Sequence, residues 1–242
     1  MKITILTIFP EMFNDFLNTS IIKKARLKNL VDIKIVDFRS FSNLPTKRVD
    51  DYPYGGGPGM VLMCQPVLDA LKSVKTDNSY VVITSPIGVR FDQQMAYRLL
   101  EKEELIIICG HYEGFDARIY EYADQHISIG DYILTGGELP AMVITDAITR
   151  LVKDTISEEA TVEESFEDGL LEYPQYTRPE TYEGLQVPKV LLSGHHDNIR
   201  VYRLKESLRT TYLNRRDLLE EREFTEEEKK LLEEVIEEEK KQ

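Results

Sequence analysis

The chain has no tryptophan, only two cysteines (Cys64 and Cys109) and only four histidines in 242 residues. Two cysteines cannot form a disulfide framework, and their scarcity fits a reducing cytosol. Nor can two cysteines and scattered histidines supply a structural zinc site. No segment approaches the roughly 18 uninterrupted apolar residues of a membrane span. The N-terminal stretch "MKITILTIFPEM" holds a seven-residue apolar run that ends at Pro10 and Glu11. That is too short for a secretory core and reads as a first strand. Positive charge is in deficit too, with 30 Lys and Arg against 43 Asp and Glu for a net −13.

The deficit is uneven. Residues 217–242 carry 12 acids and 5 bases, a net −7, which leaves −6 for the first 216 residues. Residues 195–216 hold six cations (Arg200, Arg203, Lys205, Arg209, Arg215, Arg216) against Asp197 and Glu206, a local +4. An acidic protein with one basic face can still bind phosphates locally.

Short apolar runs at 2–8, 31–38, 80–85, 105–110 and 125–130 read as strands. Segments with helical spacing lie between and after them, at 10–29, 65–75, 92–103, 115–123 and 138–152. This alternation predicts an α/β fold, a parallel sheet with helices on both faces. Ligands of open parallel sheets sit beyond the carboxyl ends of the strands. The pattern changes at "SEEATVEESFEDG" (157–169), where six acids and few apolar residues predict a solvated, flexible linker. The expected domains are therefore 1–157, an acidic linker over 158–170, and a mostly helical 171–242. In the last of these Thr225 is the expected N-cap and Glu228 the capping-box partner of a terminal acidic helix. That helix is read as serving only solubility.

"DYPYGGGPGM" (51–60) packs four glycines and two prolines into ten residues. It is not a Walker loop, since Met60 and Val61 follow Gly59 where Lys and Ser/Thr belong. It is not a dinucleotide fingerprint, because it follows the second strand and contains Pro58. Flanking Tyr52, Tyr54, Met60 and Met63 predict instead a packed loop whose backbone comes close to a ligand. "CGHYEG" (109–114) and "SIGDYILTGGELPAM" (128–142) each follow a strand and bring five glycines to one sheet edge. Such a pocket offers backbone groups rather than charges, which suits a flat heterocycle and a cationic or zwitterionic ligand.

In order and spacing, "YGGGPGM", "SPIG", "CGHYEG", "SIGDYILTGGELPAM", "GLLEYPQYTRP" and "VPKVLLSGHH" resemble the bacterial tRNA (guanine-37 N1)-methyltransferases of the TrmD type. The resemblance covers nearly the whole chain apart from the acidic tail. It implies the SPOUT class, a deep trefoil knot in the sheet, and a cytoplasmic homodimer that shares its active sites. It further implies S-adenosylmethionine as methyl donor and the tRNA anticodon stem-loop as partner, with no membrane association. The cofactor residues carried over by the motifs are Pro86, Gly88, Gly110, Tyr112, Glu113 and Gly114, then Ser128, Ile129, Gly130, Tyr132, Leu134, Gly136, Gly137 and Pro140. Pro58 and Gly59 would form a wall where cofactor and guanine meet.

Guanine N1 is protonated at neutral pH, so methylation there needs a base for the proton and a cation or donors for charge developing toward O6. The resemblance implies Arg150 for the second role and Glu164 for the first, with Ser165 beside the substrate. The family pattern has Asp at the position of Glu164, and the longer side chain leaves Glu163 or another acid as an alternative base. His111 stays outside the chemistry, and His195 and His196 belong to a turn before the basic helix. Tyr176, Arg178, Arg200, Arg203, Lys205, Arg209, Arg215 and Arg216 are the expected RNA contacts. Magnesium is associated with the family, but no carboxylate cluster in the sequence identifies a metal site. Two alternatives remain: a SPOUT enzyme acting on another RNA, and a non-catalytic RNA- or nucleotide-binding protein.

Overall fold

The computed structural model describes residues 1–157, 164–220 and 222–241. The chain divides into two compact units, Met1–Ser157 and Glu158–Gln242. The core of the proposed acidic linker, 158–163, lies outside the described residues, and so does Glu163.

The first unit runs β1 (Lys2–Thr7), α1 (Asn14–Asn18), α2 (Ser20–Leu27), β2 (Asp32–Asp37), β3 (Asp50–Asp51), β4 (Val61–Leu62) and α3 (Cys64–Val74). It continues with β5 (Ser79–Arg90), α4 (Gln93–Leu100), β6 (Glu104–Cys109), β7 (Gln125–Ser128) and α5 (Glu138–Leu151). The five longer strands form one sheet in the order β2-β1-β6-β5-β7, and every pairing is parallel. Side chains alternate across it. Ile5, Leu105 and Ile107 pack with Met95, Leu99 and Ile144 of α4 and α5. Leu6, Ile106 and Ile108 pack on the other face with Val67 and Leu71 of α3. Each such burial contributes about 1.5–3 kcal/mol, so β6, apolar on both faces, anchors the sheet.

Three local features differ from the sequence reading. The helix expected over 10–29 is a 3₁₀ turn followed by two helices, with Thr19 extended and Ser20 at φ 49°. Asn18 and Thr19 donate back to the carbonyls of Asn14 and Asp15, which ends the first helix. The segment expected to be helical near 115–123 is a 3₁₀ run over Ala117–Tyr122. Finally, β5 continues past Thr84. Thr84 and Val89 both pair with Ile127, so residues 85–88, the "SPIG" motif, bulge out of the ladder.

The second unit contains β8 (Thr181–Tyr182) and β9 (Leu185–Gln186), a hairpin turning through Glu183 and Gly184. Its helices are α6 (His196–Asn214), α7 (Asp217–Glu220) and α8 (Glu226–Glu239). Thr225 and Glu228 form the expected capping box, with Thr225 Oγ1 accepting from the Glu228 amide at 3.2 Å. Solubility is not the whole role of α8. Leu231 packs with Leu170 and Leu208 in a small core, and Val235 is fully buried, so the acidic helix completes the hydrophobic interior of its unit.

Candidate functional site

The carboxyl ends of β5, β6 and β7 enclose a cavity of about 400 Å³. That volume is in the range of small-molecule sites. Of the fourteen residues proposed for the cofactor, thirteen line it: Pro86, Gly110, Tyr112, Glu113, Gly114, Ser128, Ile129, Gly130, Tyr132, Leu134, Gly136, Gly137 and Pro140. Gly88 stands outside the lining. A Cβ there would lie 2.4 Å from the Ile127 amide nitrogen, so this glycine serves the tight return of β5 onto β7. The lining also includes Thr84, Ser85, Ile87, His111, Ile133 and Thr135, which the sequence reading left out. Ser85, Ile87, His111, Ile133 and Thr135 fall inside the quoted motifs and were legible as wall residues on that basis.

The turn from β6 into the cavity and the turn into α5 are bolted together. Gly137 donates its amide to the Gly110 carbonyl at 2.7 Å, and Thr84 Oγ1 donates to the Ile108 carbonyl at 3.3 Å. A Cβ on Gly137 would meet Thr84 Oγ1 at 2.2 Å, which only glycine avoids. Among the described residues no lysine or arginine lines the cavity, and Glu113 is the one carboxylate in the lining. This wall of backbone groups, hydroxyls and one acid sets no cationic side chain beside a ligand.

The glycine loop at 55–59 meets the cavity at one end only. Glu113 donates its amide to the Met60 carbonyl at 3.0 Å, and a Cβ on Gly59 would overlap the Glu113 side chain at 2.4 Å. A Cβ on Gly55, Gly56 or Gly57 would meet nothing within 4 Å. The expected packed loop is therefore not found as such: Pro58 and Gly59 are exposed and outside the cavity lining, and close approach is confined to Gly59 against Glu113. Gly55–Gly57 are instead explained by backbone conformation, at φ 86°, 79° and 127°. Tyr54 is fully exposed.

Arg150 lies half-buried in the last turn of α5, in the first unit. Glu164 and Ser165 belong to the second unit. The Glu164 carbonyl accepts from the Glu167 amide at 3.3 Å, and Ser165 Oγ accepts from the Glu172 amide at 2.9 Å. Tyr176 and Arg178 are exposed. Burial first, with Glu206 and the Tyr176 hydroxyl adding to it, pushes the Tyr202 phenol up to about 12. Among the described residues no group of three or more His, Cys, Asp or Glu side chains is placed to hold a metal.

The basic helix is present as α6, but its cations are engaged. Arg200 makes a forked pair with Glu227 at 2.7 and 2.9 Å. Lys205 meets Glu234 and Glu238, each at 2.9 Å, and Arg209 meets Glu206, Glu238 and Glu239. Arg203 stacks on the Tyr173 ring at 4.8 Å, Arg215 pairs with Asp217 at 2.6 Å, and Arg216 stacks on Tyr212 at 4.3 Å. Most carboxylate partners come from α8, whose acids the sequence reading treated as separate from the basic face.

An open parallel sheet with a glycine-walled cavity beyond its strand ends is the architecture of an α/β protein whose ligand site lies at that edge. The sequence pattern of tRNA (Guanine-1)-methyltransferase TrmD matches residues 1–221. A tRNA (guanine-N(1)-)-methyltransferase of Malacoplasma penetrans (strain HF-2) is 54% identical over 218 residues, 90% of this chain and 96% of its own. Proteins of the same description from Bacillus cereus (strain AH820) and Bacillus anthracis (strain A0248) are 52% identical over 242 residues, 98% of this chain and 99% of theirs. The chain belongs to the TrmD family of tRNA (guanine-1)-methyltransferases.

Proposed function

We propose that this protein transfers a methyl group from S-adenosylmethionine to N1 of guanosine 37 in tRNAs carrying guanosine at 36, and so guards the reading frame. Family membership carries the guanine-N1 activity on tRNA. The cavity is the observation that carries the cofactor reading, because three motif loops separated in sequence converge on it with no lysine or arginine among the described lining residues. Its size and its glycine walls suit an adenosyl group, and Glu113 suits a positively charged donor. When bound, the cofactor supplies a methyl group already activated as a sulfonium, so the protein's work is positioning and proton handling.

In this reading Glu164 takes the N1 proton and Arg150 stabilises charge toward O6. An active site shared between two copies of the chain follows from the same family reading. Exposed Ile87, Ile133, Leu139 and Val143 at and near the cavity rim support a second copy of the chain covering that face. The SPOUT knot and a cytoplasmic setting follow from the same family reading. Among the described residues no helix is long and apolar enough to cross a membrane. An association with magnesium follows from the same family reading.

The test is methyl transfer from labelled S-adenosylmethionine to an unmodified tRNA transcript with guanosine at 36 and 37, beside a transcript with adenosine at 37. Label at N1 of guanosine 37 alone is the expected result. Label elsewhere would favour another RNA target, and none with the cofactor bound would favour a binding protein.

A further inference from the structure

One ionisable side chain beside the cavity has no part in the reaction as described. Glu138, the first residue of α5, is only 1% exposed, although a carboxylate is seldom buried so completely. Its Oε1 accepts from Thr7 Oγ1 at 2.8 Å, and that hydroxyl in turn accepts from the Phe9 amide at 2.9 Å. Its Oε2 lies 2.3 Å from the point where a Cβ on Gly136 would stand. His111 Nε2 lies 3.0 Å from that same point, and His111 Nδ1 is buried without a hydrogen-bond partner among the described residues. Gly136 and His111 both line the cavity. The carboxylate therefore sits one backbone thickness behind the cavity wall, with almost no water to screen it.

That location matters because of what α5 presents there. The N-terminus of a helix carries partial positive charge, and α5 begins at the cavity wall, with Pro140 of its first turn among the lining residues. Left alone, this end would disfavour a cationic ligand. A carboxylate at the first helical position reverses the sign of the local field. The field reaches the strand ends as well: burial first, and then the Glu138 charge, push the Cys109 thiol well above its usual value.

We propose that Glu138 sets the charge preference of the cofactor pocket, favouring the sulfonium donor over the neutral thioether left after transfer. The inference rests on the cofactor reading above. In methyl transfer the sulfur keeps the electron pair of the broken S–CH3 bond and becomes neutral. The methyl group forms its new bond with the N1 lone pair, and the N1 proton goes to the base. Donor and product thus differ by one methyl group and one unit of charge at the same sulfur. A fixed anion behind the wall holds the first more strongly than the second and eases product exchange.

The test is calorimetric titration of the full-length protein with S-adenosylmethionine and with S-adenosylhomocysteine, in wild type, Glu138→Gln and Glu138→Asp. Glu138→Gln keeps the shape and removes the charge, and should lower donor affinity by about tenfold at low salt while thioether affinity stays within about twofold. Equal losses for both ligands would make Glu138 a structural residue and overturn the proposal, as would no change for either. Glu138→Asp keeps the charge and should preserve the ratio of the two affinities even where both weaken. A changed ratio there would also overturn the proposal, and this variant remains decisive if the Gln form does not fold. Failure of wild type to bind either ligand would instead sink the cofactor reading.

Discussion

Lys205 Nζ lies 2.9 Å from a carboxylate oxygen of Glu238, and the same carboxyl group reaches the Arg209 guanidinium with its other oxygen. One residue of the terminal helix α8 thereby ties down two cations of α6. Hydrogen bonds, from Lys205 first and then Arg209, hold the Glu238 carboxyl at about 2 instead of its ordinary 4.5. A carboxyl whose folded value is depressed contributes its full stability above the unfolded value and loses it as pH falls through the folded one. The thermal midpoint of Glu238→Gln should therefore lie below wild type by a constant amount above pH 4.5, and the gap should close as pH falls toward 2. Scanning calorimetry against pH checks this. Added salt should narrow the gap, because the pair is partly exposed.

Gly59 and Gly56 make a matched pair for mutation. Both have positive φ, so alanine at either costs about 1–2 kcal/mol in backbone strain. Only at Gly59 does the new Cβ also strike Glu113. Gly59→Ala should lower turnover by about 10- to 100-fold through displacement of that carboxylate, in line with a positioning error near 1 Å. Gly56→Ala should leave turnover within about threefold, given its open surroundings. Single-turnover methyl transfer distinguishes them.

Gly137→Ala should be more severe, because its Cβ would lie 2.2 Å from Thr84 Oγ1 and 2.7 Å from the Gly110 amide nitrogen, with backbone on one side. Overpacking of this kind costs about 1–3 kcal/mol, and here the strain falls on the turns that shape the cavity. The expected outcome is a lower thermal midpoint together with loss of S-adenosylmethionine binding in calorimetry.

For Glu164, Ala should reduce single-turnover methyl transfer by about 10²–10⁴-fold, the usual contribution of a general base. Asp should retain most of the rate, since it restores the side chain of the family pattern. A small loss in Glu164→Ala would move the base elsewhere. The shape of the rate against pH separates proton removal from simple misfolding, since only the former shifts the pH at which the rate rises.

The strands and their order of appearance were legible because a parallel sheet covered on both faces demands continuous apolar runs, as in "LIIIC" of β6. The cavity was legible for a different reason. Gly110 directly follows β6, Gly136 and Gly137 close the segment that leads from β7 into α5, and parallel strands place such segments at one edge. Two things were hidden. The bulge at 85–88 depends on how Thr84 and Val89 share Ile127, a relation between two strands that local pattern does not encode. The engagement of α6 by α8 joins residues about 30 positions apart, such as Arg209 and Glu239, and is invisible to any count of charge along the chain. Glu138 was passed over because an acid at a helix start is commonplace, and only its burial marks it out.

The acidic helix has one further consequence for RNA binding. Nucleic-acid association draws much of its strength from small ions released as phosphates meet lysines and arginines. On α6 the positions of those small ions are already taken by Glu227, Glu234, Glu238 and Glu239, covalently tethered and unable to diffuse away. The helix acts as a built-in counterion. A phosphate landing on Arg200, Lys205 or Arg209 gains none of the usual mixing entropy, so contacts made there should add almost nothing to the salt dependence of tRNA affinity.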